Sequence, residues 1–391
     1  MPTINRFADL QDEITGWRRD LHMNPELQFD VHRTAGIVAR KLREFGCDEV
    51  VEGIGRTGVV GLIKGRETSS GKVMGMRADM DALPILEQTG KDYASTVPGK
   101  MHACGHDGHT AMLLGAAKYL SETRNFDGAV AVIFQPAEEG GGGGKEMVDD
   151  GMMDRFGITE VYGMHTAPGV PVGQFAIRPG PLLASADEFE IQIKGIGGHA
   201  AHPNECVDTT LIGAQMLQSL QSLVSRNLDP VKSAVVSCTL FEVDSTATNV
   251  IPETARIKGT VRTLDPDVQD MIEARMGVMV TNLAKAFGGE ADLHYERHYP
   301  VTVNTAAETG FAAQVALDVA GEGKVEDACP PQLGSEDFSF MLNARPGAFI
   351  FVGNGDTAYC HHPAFDFDDE SIPFGCSYWG RLAETGMPLK T

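Results

Sequence analysis

The chain has 391 residues, 42% of them apolar, which exceeds the usual size of one hydrophobic core and favours two domains or one domain carrying an insertion. Lys and Arg total 32 against 54 Asp and Glu, and the acidic residues are spread along the chain, so the formal charge of -22 speaks for solubility and against nucleic-acid binding. The seven cysteines (47, 104, 206, 238, 329, 360 and 376) have irregular spacing without CxxC, the start has no apolar signal-like segment, and there is no run of about 18 apolar residues, so a cytoplasmic protein with no disulfide framework and no membrane partner is expected.

Residues 6–21 and 33–45 have helical spacing, and "TGVVGLIKG" and "GKVMGMRAD" then read as short strands bounded by glycine. The helix "TAMLLGAAKYLSE" is followed by the strand "GAVAVIFQP", the helical "GKEMVDDGMMDRF" by the strand "EVYGMH", and "GAFIFVGNG" supplies a late strand. Near-continuous apolar strands alternating with helices predict an α/β domain with a mostly parallel, buried sheet.

Between residues 183 and 297 the pattern changes. "DEFEIQIKG" alternates with period two, "VDTTLIGAQMLQSLQSLVSR" is helical, and "SAVVSCTLFEV" and "ARIKGTVRT" are strands. Asp265 and Pro266 read as N-cap and first residue of a helix to Phe287, and "ADLHYERHYP" closes the segment as a strand. The order βαββαβ is ferredoxin-like. The expected organisation is therefore a discontinuous catalytic domain, 1–182 plus 298–391, interrupted by an inserted domain, 183–297.

In an open α/β sheet ligands bind beyond the carboxyl ends of the strands. Those positions carry Asp79 and Asp81, Cys104 and His106, Glu138 and Glu139, His165, and Cys360, His361 and His362. A thiolate, imidazoles and a carboxylate suit Zn, Mn, Co or Ni, and do not suit magnesium or calcium. Adjacent glutamates leave a loop in different directions, so one of Glu138 and Glu139 can ligate metal while its neighbour serves as a general base. The glycine run after them is not a phosphate loop, because Glu139 stands where the first glycine and Glu146 where the hydroxyl residue would be. It is read as backbone passing close to a site. His22, His32, His294 and His298 have no such company and are expected at the surface or an interface; His102, Asp107, His109 and His362 are left with supporting or surface roles.

The segments "RRDLHMNPEL", "MRADMDALPI", "MHACGHDGHTAM", "FQPAEEGGGG", "GMHTAPGVPVG", "GIGGHAAHP", "TNVIPETARIKGTVRT", "LGSEDFSF" and "HHPAFDFDDE" run almost end to end. In that order they closely resemble the aminoacylase and carboxypeptidase type of dinuclear metallohydrolase, in its hippurate hydrolase and auxin-conjugate amidohydrolase branch. The resemblance implies two divalent ions per subunit, held by Cys104, His106, Glu139, His165 and His361, with Cys104 bridging. It implies Glu138 as catalytic base and Asp81 as the carboxylate behind the ligands. His361 is chosen over His362 because the family's histidine sits two residues before the proline, here Pro363. Asp79 stands where related carboxypeptidases have a metal-binding histidine, a role that His106 takes here. The inserted segment resembles the family's lid and dimerisation domain, with His199 matching a histidine that reaches the substrate carbonyl and Asn249 and Arg262 matching residues that recognise the substrate carboxylate. A homodimer is implied. Val31, Cys206 and Cys360 depart from the usual glutamate, glycine and leucine at their positions.

The activity so implied is metal-dependent hydrolysis of the amide bond of a small N-acyl or N-aroyl amino acid. A metallo-aminopeptidase or dipeptidase keeps the same metals, and an inactive metal-dependent binding protein is the rival from another class. The paired Glu138 and Glu139 count against the last, because a binding module needs no base.

Overall fold

The computed structural model describes residues 3–390. By its contacts the chain divides into two units, Met1–Leu182 with Val303–Pro330 and Asp337–Thr391, and Leu183–Thr302 with Pro331–Glu336. Helices α1 (Asn5–Met23) and α2 (His32–Glu44) lead into strands β1 (Glu49–Ile54), β2 (Gly58–Lys64) and β3 (Val73–Asp79), then α3 (His106–Thr123) and β4 (Ala129–Gln135). After α4 (Gly143–Asp149) and α5 (Met152–Arg155) come β5 (Glu160–Ala167), β6 (Phe175–Ala176) and β7 (Gly180–Leu183). The inserted stretch holds β8 (Ala186–Lys194), β9 (Gly198–His199), α6 (Thr209–Leu220), β10 (Ala234–Val243), β11 (Val250–Ile251), β12 (Thr254–Thr263), α7 (Pro266–Ala286) and β13 (Glu290–Tyr299). The chain closes with β14 (Thr302–Asn304), α8 (Ala306–Ala320), β15 (Val325–Glu326), α9 (Ser339–Ala344), β16 (Gly347–Gly353) and α10 (Ile372–Gly386).

The first unit is an α/β structure with the mostly parallel sheet its sequence predicts. Its strand order is β1-β2-β4-β3-β5-β16-β6-β15, and the central β4, β3, β5 and β16 are mutually parallel. Every residue of β4 is buried, because apolar side chains are covered on both faces of the sheet. Val130, Val132 and Phe134 join one core with Met74, Met76 and Met164, beneath α1, α3 and α10. Helix α3 is packed by both α1 and α10, which is why its sequence is apolar almost all round. The stretch expected as one helix at 144–156 is two, broken where Gly151 takes φ 78 in the left-handed region. β1, α8 and α10 do not stand out in the sequence; in α10, Pro373, Gly375 and Gly380 mask the helical period.

The second unit has the sheet order β10-β12-β8-β13, antiparallel throughout. That order is the ferredoxin-like one. Phe189, Ile191 and Ile193 of β8 and Ala255, Ile257 and Val261 of β12 point into one core with α6 and α7. The Asp265 carboxylate accepts the Asp267 N–H at 2.9 Å, with Pro266 in the first turn of α7. β13 continues to Tyr299, so a boundary at 297/298 falls inside a strand.

Candidate active site

Helix α3 starts at His106, one turn earlier than its apolar run, with Gly105 before it at φ 86. A Cβ on Gly105 would lie 2.6 Å from Thr166 Cγ2, so glycine lets this turn press onto β5. Cys104 and His106 flank the turn. His165 lies within β5, which runs on to Ala167. Glu138 and Glu139 follow β4, after Ala137 at φ 53, and His361 sits at φ 69 in the loop after β16. Two non-glycine residues in the left-handed region next to the expected base and at an expected ligand mark backbone held by its surroundings.

The hydrogen bonds fix which imidazole nitrogens remain available. His106 Nδ1 donates to the Asp81 carbonyl at 2.8 Å, and His165 Nδ1 donates to the Thr166 carbonyl at 2.6 Å. Both rings therefore turn Nε2 inward as a lone-pair donor, the arrangement typical of ligating histidines. His109 differs: Nδ1 donates to Asp79 Oδ1 at 2.7 Å and Nε2 accepts the Thr166 N–H at 2.9 Å, so neither nitrogen is left for a metal. His362 is exposed, with Nδ1 accepting the Ala364 N–H at 3.0 Å.

The inward atoms form two donor triads, Cys104–His106–His165 and Cys104–Glu139–His361, each with its atoms within 4.8 Å of one another. Cys104 belongs to both. Its Sγ is 3.3 Å from His165 Nε2, and His361 Nε2 is 3.2 Å from Glu139 Oε1. Such spacings suit donors about 2.0–2.3 Å from a common ion. Buried His106 Nε2 and Glu139 Oε1 have no hydrogen-bond partner of good geometry, which in a protein interior calls for an occupant. Burial opposes a charge on His106, yet Asp79, Asp81 and Glu139 outweigh it and push its pKa up to about 10. The surrounding carboxylates thus favour positive charge at Nε2. The residues present fit divalent metal with mixed sulfur, nitrogen and oxygen donors.

Asp81 is buried beneath the glutamate pair, and its carboxylate accepts the N–H of Glu138 at 2.9 Å and of Glu139 at 3.1 Å. Glu138 is itself buried, and its carboxylate comes within reach of His106 and Glu139. The glycine run closes tightly on this loop: a Cβ on Gly143 would meet the Pro136 carbonyl oxygen at 1.8 Å.

Sequence reasoning misses two buried polar networks. Arg77 Nη1 donates to Asp79 at 2.7 Å, Nη2 to Asp337 at 3.0 Å and Nε to Gln135 at 2.8 Å, which ties Asp79 to a cation from behind and orients His109. An arginine inside the apolar strand "VMGMRAD" was the available signal. His22, expected at the surface or an interface, is fully buried within the first unit: its Nδ1 lies 2.8 Å from Asp107, and Arg18 pairs with Asp369 at 2.8 Å. Burial penalises charge on His22, but Asp107 and Glu87 prevail and hold its pKa near 9. Asp107 and His102 are buried as well, and burial lowers the His102 pKa to about 3.

The other expected site residues belong to the second unit. His199 on β9 pairs with Val250 on β11, and the Ala200 N–H donates to the Asn249 carbonyl at 3.0 Å, so these segments lie side by side. His199 Nδ1 accepts the Ala201 N–H at 3.1 Å, leaving the ring proton on Nε2 of an exposed side chain. Arg262, on β12, is half-buried and donates to the Val261 carbonyl at 3.0 Å.

Residues 75–385 match the model of peptidase family M20/M25/M40. Over 383 residues the chain is 41% identical to a hippurate hydrolase of Campylobacter jejuni, covering 98% of this chain and 99% of that one. It is 38% identical to an IAA-amino acid hydrolase of Arabidopsis thaliana over 392 residues, 97% of this chain and 88% of the relative. Among solved structures it superposes with TM-score 0.85 on a dinuclear metal-binding peptidase of Bacillus subtilis, at 34% identity with 97% of this chain and 99% of that one covered. The chain is a member of peptidase family M20/M25/M40.

Proposed function

We propose that this protein hydrolyses the amide bond of N-acyl or N-aroyl amino acids of the hippurate type, giving a carboxylic acid and a free amino acid. The observation that carries this reading is the pair of donor triads sharing Cys104 beside buried Glu138. Relatives named as hippurate hydrolase, N-acetylcysteine deacetylase and IAA-amino acid hydrolase support the amidohydrolase chemistry. Cys104, His106, Glu139, His165 and His361 would hold two divalent ions, with zinc, manganese, cobalt and nickel all suited to the donors.

When bound, the ions lower the pKa of a water and polarise the amide carbonyl. Glu138 takes the proton of the attacking water and returns it to the leaving nitrogen, which requires a carboxylate held in place; Asp81 supplies that by fixing its backbone. His199 donates a hydrogen bond from its Nε2–H to the carbonyl oxygen as negative charge develops there. Arg262 offers a bidentate contact to the substrate carboxylate, with Asn249 as a further polar partner. The inserted unit serves as lid and dimerisation domain, in a homodimer.

The test is a substrate panel with the metal-loaded protein, comparing N-acetyl and N-benzoyl amino acids with unblocked dipeptides before and after chelation. Turnover of the blocked amino acids that stops on chelation is expected. Turnover of dipeptides alone would support the peptidase named among the solved structures, and no turnover at all would support a binding protein.

A further inference from the structure

Asp79 ends β3 beside the candidate metal centre, yet it belongs to neither of the triads that share Cys104. Its Oδ2 is 3.6 Å from His106 Nε2, the nitrogen turned inward for an ion. Two donors about 2.0–2.2 Å from one ion lie about 3–3.6 Å apart, so this oxygen is at the spacing of a ligand. Its other partners set it apart. Oδ1 accepts His109 Nδ1–H at 2.7 Å, and Oδ2 accepts Arg77 Nη1–H at 2.7 Å. The guanidinium is itself held by Asp337 at 3.0 Å and by Gln135 at 2.8 Å, and all four side chains are buried. A planar guanidinium gripped at three nitrogens has no freedom to swing aside, and it does not deprotonate. Its charge therefore rests on the oxygen that an ion would draw on, and it opposes a second cation there.

We propose that Arg77 is a positioning residue that keeps the Asp79 carboxylate off the ion of the Cys104–His106–His165 triad, so that this ion retains a coordination position open to substrate. A catalytic ion needs such a position, and a further carboxylate would fill it. The restrained carboxylate is turned instead to His109, whose Nε2 accepts the Thr166 N–H at 2.9 Å, one residue after His165. Asp79 thus supports the strand that carries a ligand and is not a ligand itself. The proposal rests on the dinuclear centre described above.

The experiment compares wild type with Arg77→Met, Arg77→Met/Asp337→Asn and Arg77→Met/Asp79→Asn, each made metal-free, refilled with Co2+ and read without substrate. Arg77→Met alone leaves two buried carboxylates without their cation, whereas the variant that also carries Asp337→Asn removes one charge of each sign and is the better test of a folded protein. An added oxygen ligand raises the coordination number and weakens visible cobalt absorption. Arg77→Met and Arg77→Met/Asp337→Asn should therefore lose about twofold or more of the wild-type intensity per bound cobalt, and Arg77→Met/Asp79→Asn should regain it. A merely structural role would lower stability without changing the absorption of a filled centre. Unchanged absorption in Arg77→Met/Asp337→Asn at full cobalt content would overturn the role of Arg77 while leaving the dinuclear centre standing. Loss of cobalt from that variant would overturn it too, by making Arg77 part of what builds the centre. A wild-type protein that binds no cobalt would overturn the centre itself, and with it this proposal; failure to hydrolyse N-acyl amino acids would leave this readout untouched.

Discussion

Asp81 accepts the backbone N–H of Glu138 on one carboxylate oxygen at 2.9 Å, and its own carbonyl accepts His106 Nδ1 at 2.8 Å. One residue thus sets both the proposed base and a proposed ligand. In Asp81→Asn an NH2 group replaces one acceptor and faces a backbone N–H. Turnover and metal affinity should each fall about 10–100-fold, the usual effect of disturbing groups behind metal ligands. Steady-state kinetics with metal analysis checks this, and a variant with wild-type values in both would disconnect Asp81 from the site.

The glycine run gives a pair of contrasting substitutions. Gly143 sits against the Pro136 carbonyl and donates its N–H to Ala137 at 3.1 Å, so Gly143→Ala must displace the loop that carries Glu138. A loss of about 3 kcal/mol or more is expected, with activity falling alongside. Gly140 has φ 78 but open space around its Cβ position, so Gly140→Ala should cost only about 1–2 kcal/mol. Denaturant unfolding of the two variants measures the difference.

The buried His22–Asp107 pair gives stability a pH dependence on the alkaline side. The folded pKa of His22, about 9, lies above its ordinary 6.5, so its contribution is complete below pH 6.5 and is lost as pH rises through 9. A shift of that size corresponds to something on the order of 3 kcal/mol. Urea midpoints followed from pH 6.5 to 9.5 should fall in wild type and lose this component in His22→Gln; parallel profiles would remove His22 as the cause.

His199 carries the proton that the proposed reaction needs at the carbonyl oxygen. His199→Ala should lower kcat about 100- to 1,000-fold, as loss of an oxyanion donor does, with metal content unaltered. Comparing kcat with metal stoichiometry checks both halves, and a drop in bound metal would contradict the assignment.

The strand-end pattern made the candidate donors legible, because Cys104, His106 and Glu139, with Glu138 beside them, sit where an α/β sheet presents ligands. Periodicity likewise revealed the βαββαβ order of the second unit. The choice between His361 and His362 was not visible in the residues themselves; it depends on a left-handed turn that brings His361 to Glu139. Nor did periodicity separate His106 from His109, whose roles differ through the partners of their nitrogens. His22 was misplaced although its signal was present. Phe7, Leu10, Ile14, Arg18 and Leu21 form one buried helical stripe, and His22, four residues after Arg18, lies on the same face. Charged residues on an apolar stripe indicate a buried ionic network.

The central claim is that Glu138 moves the proton while its neighbours hold the metal. Glu138→Gln keeps shape and hydrogen-bonding capacity but removes the base, so it should reduce turnover of an N-benzoyl amino acid by at least about 100-fold while bound metal per subunit stays at the wild-type level. A Glu138→Gln protein with wild-type turnover, or one that loses its metal, would contradict the account.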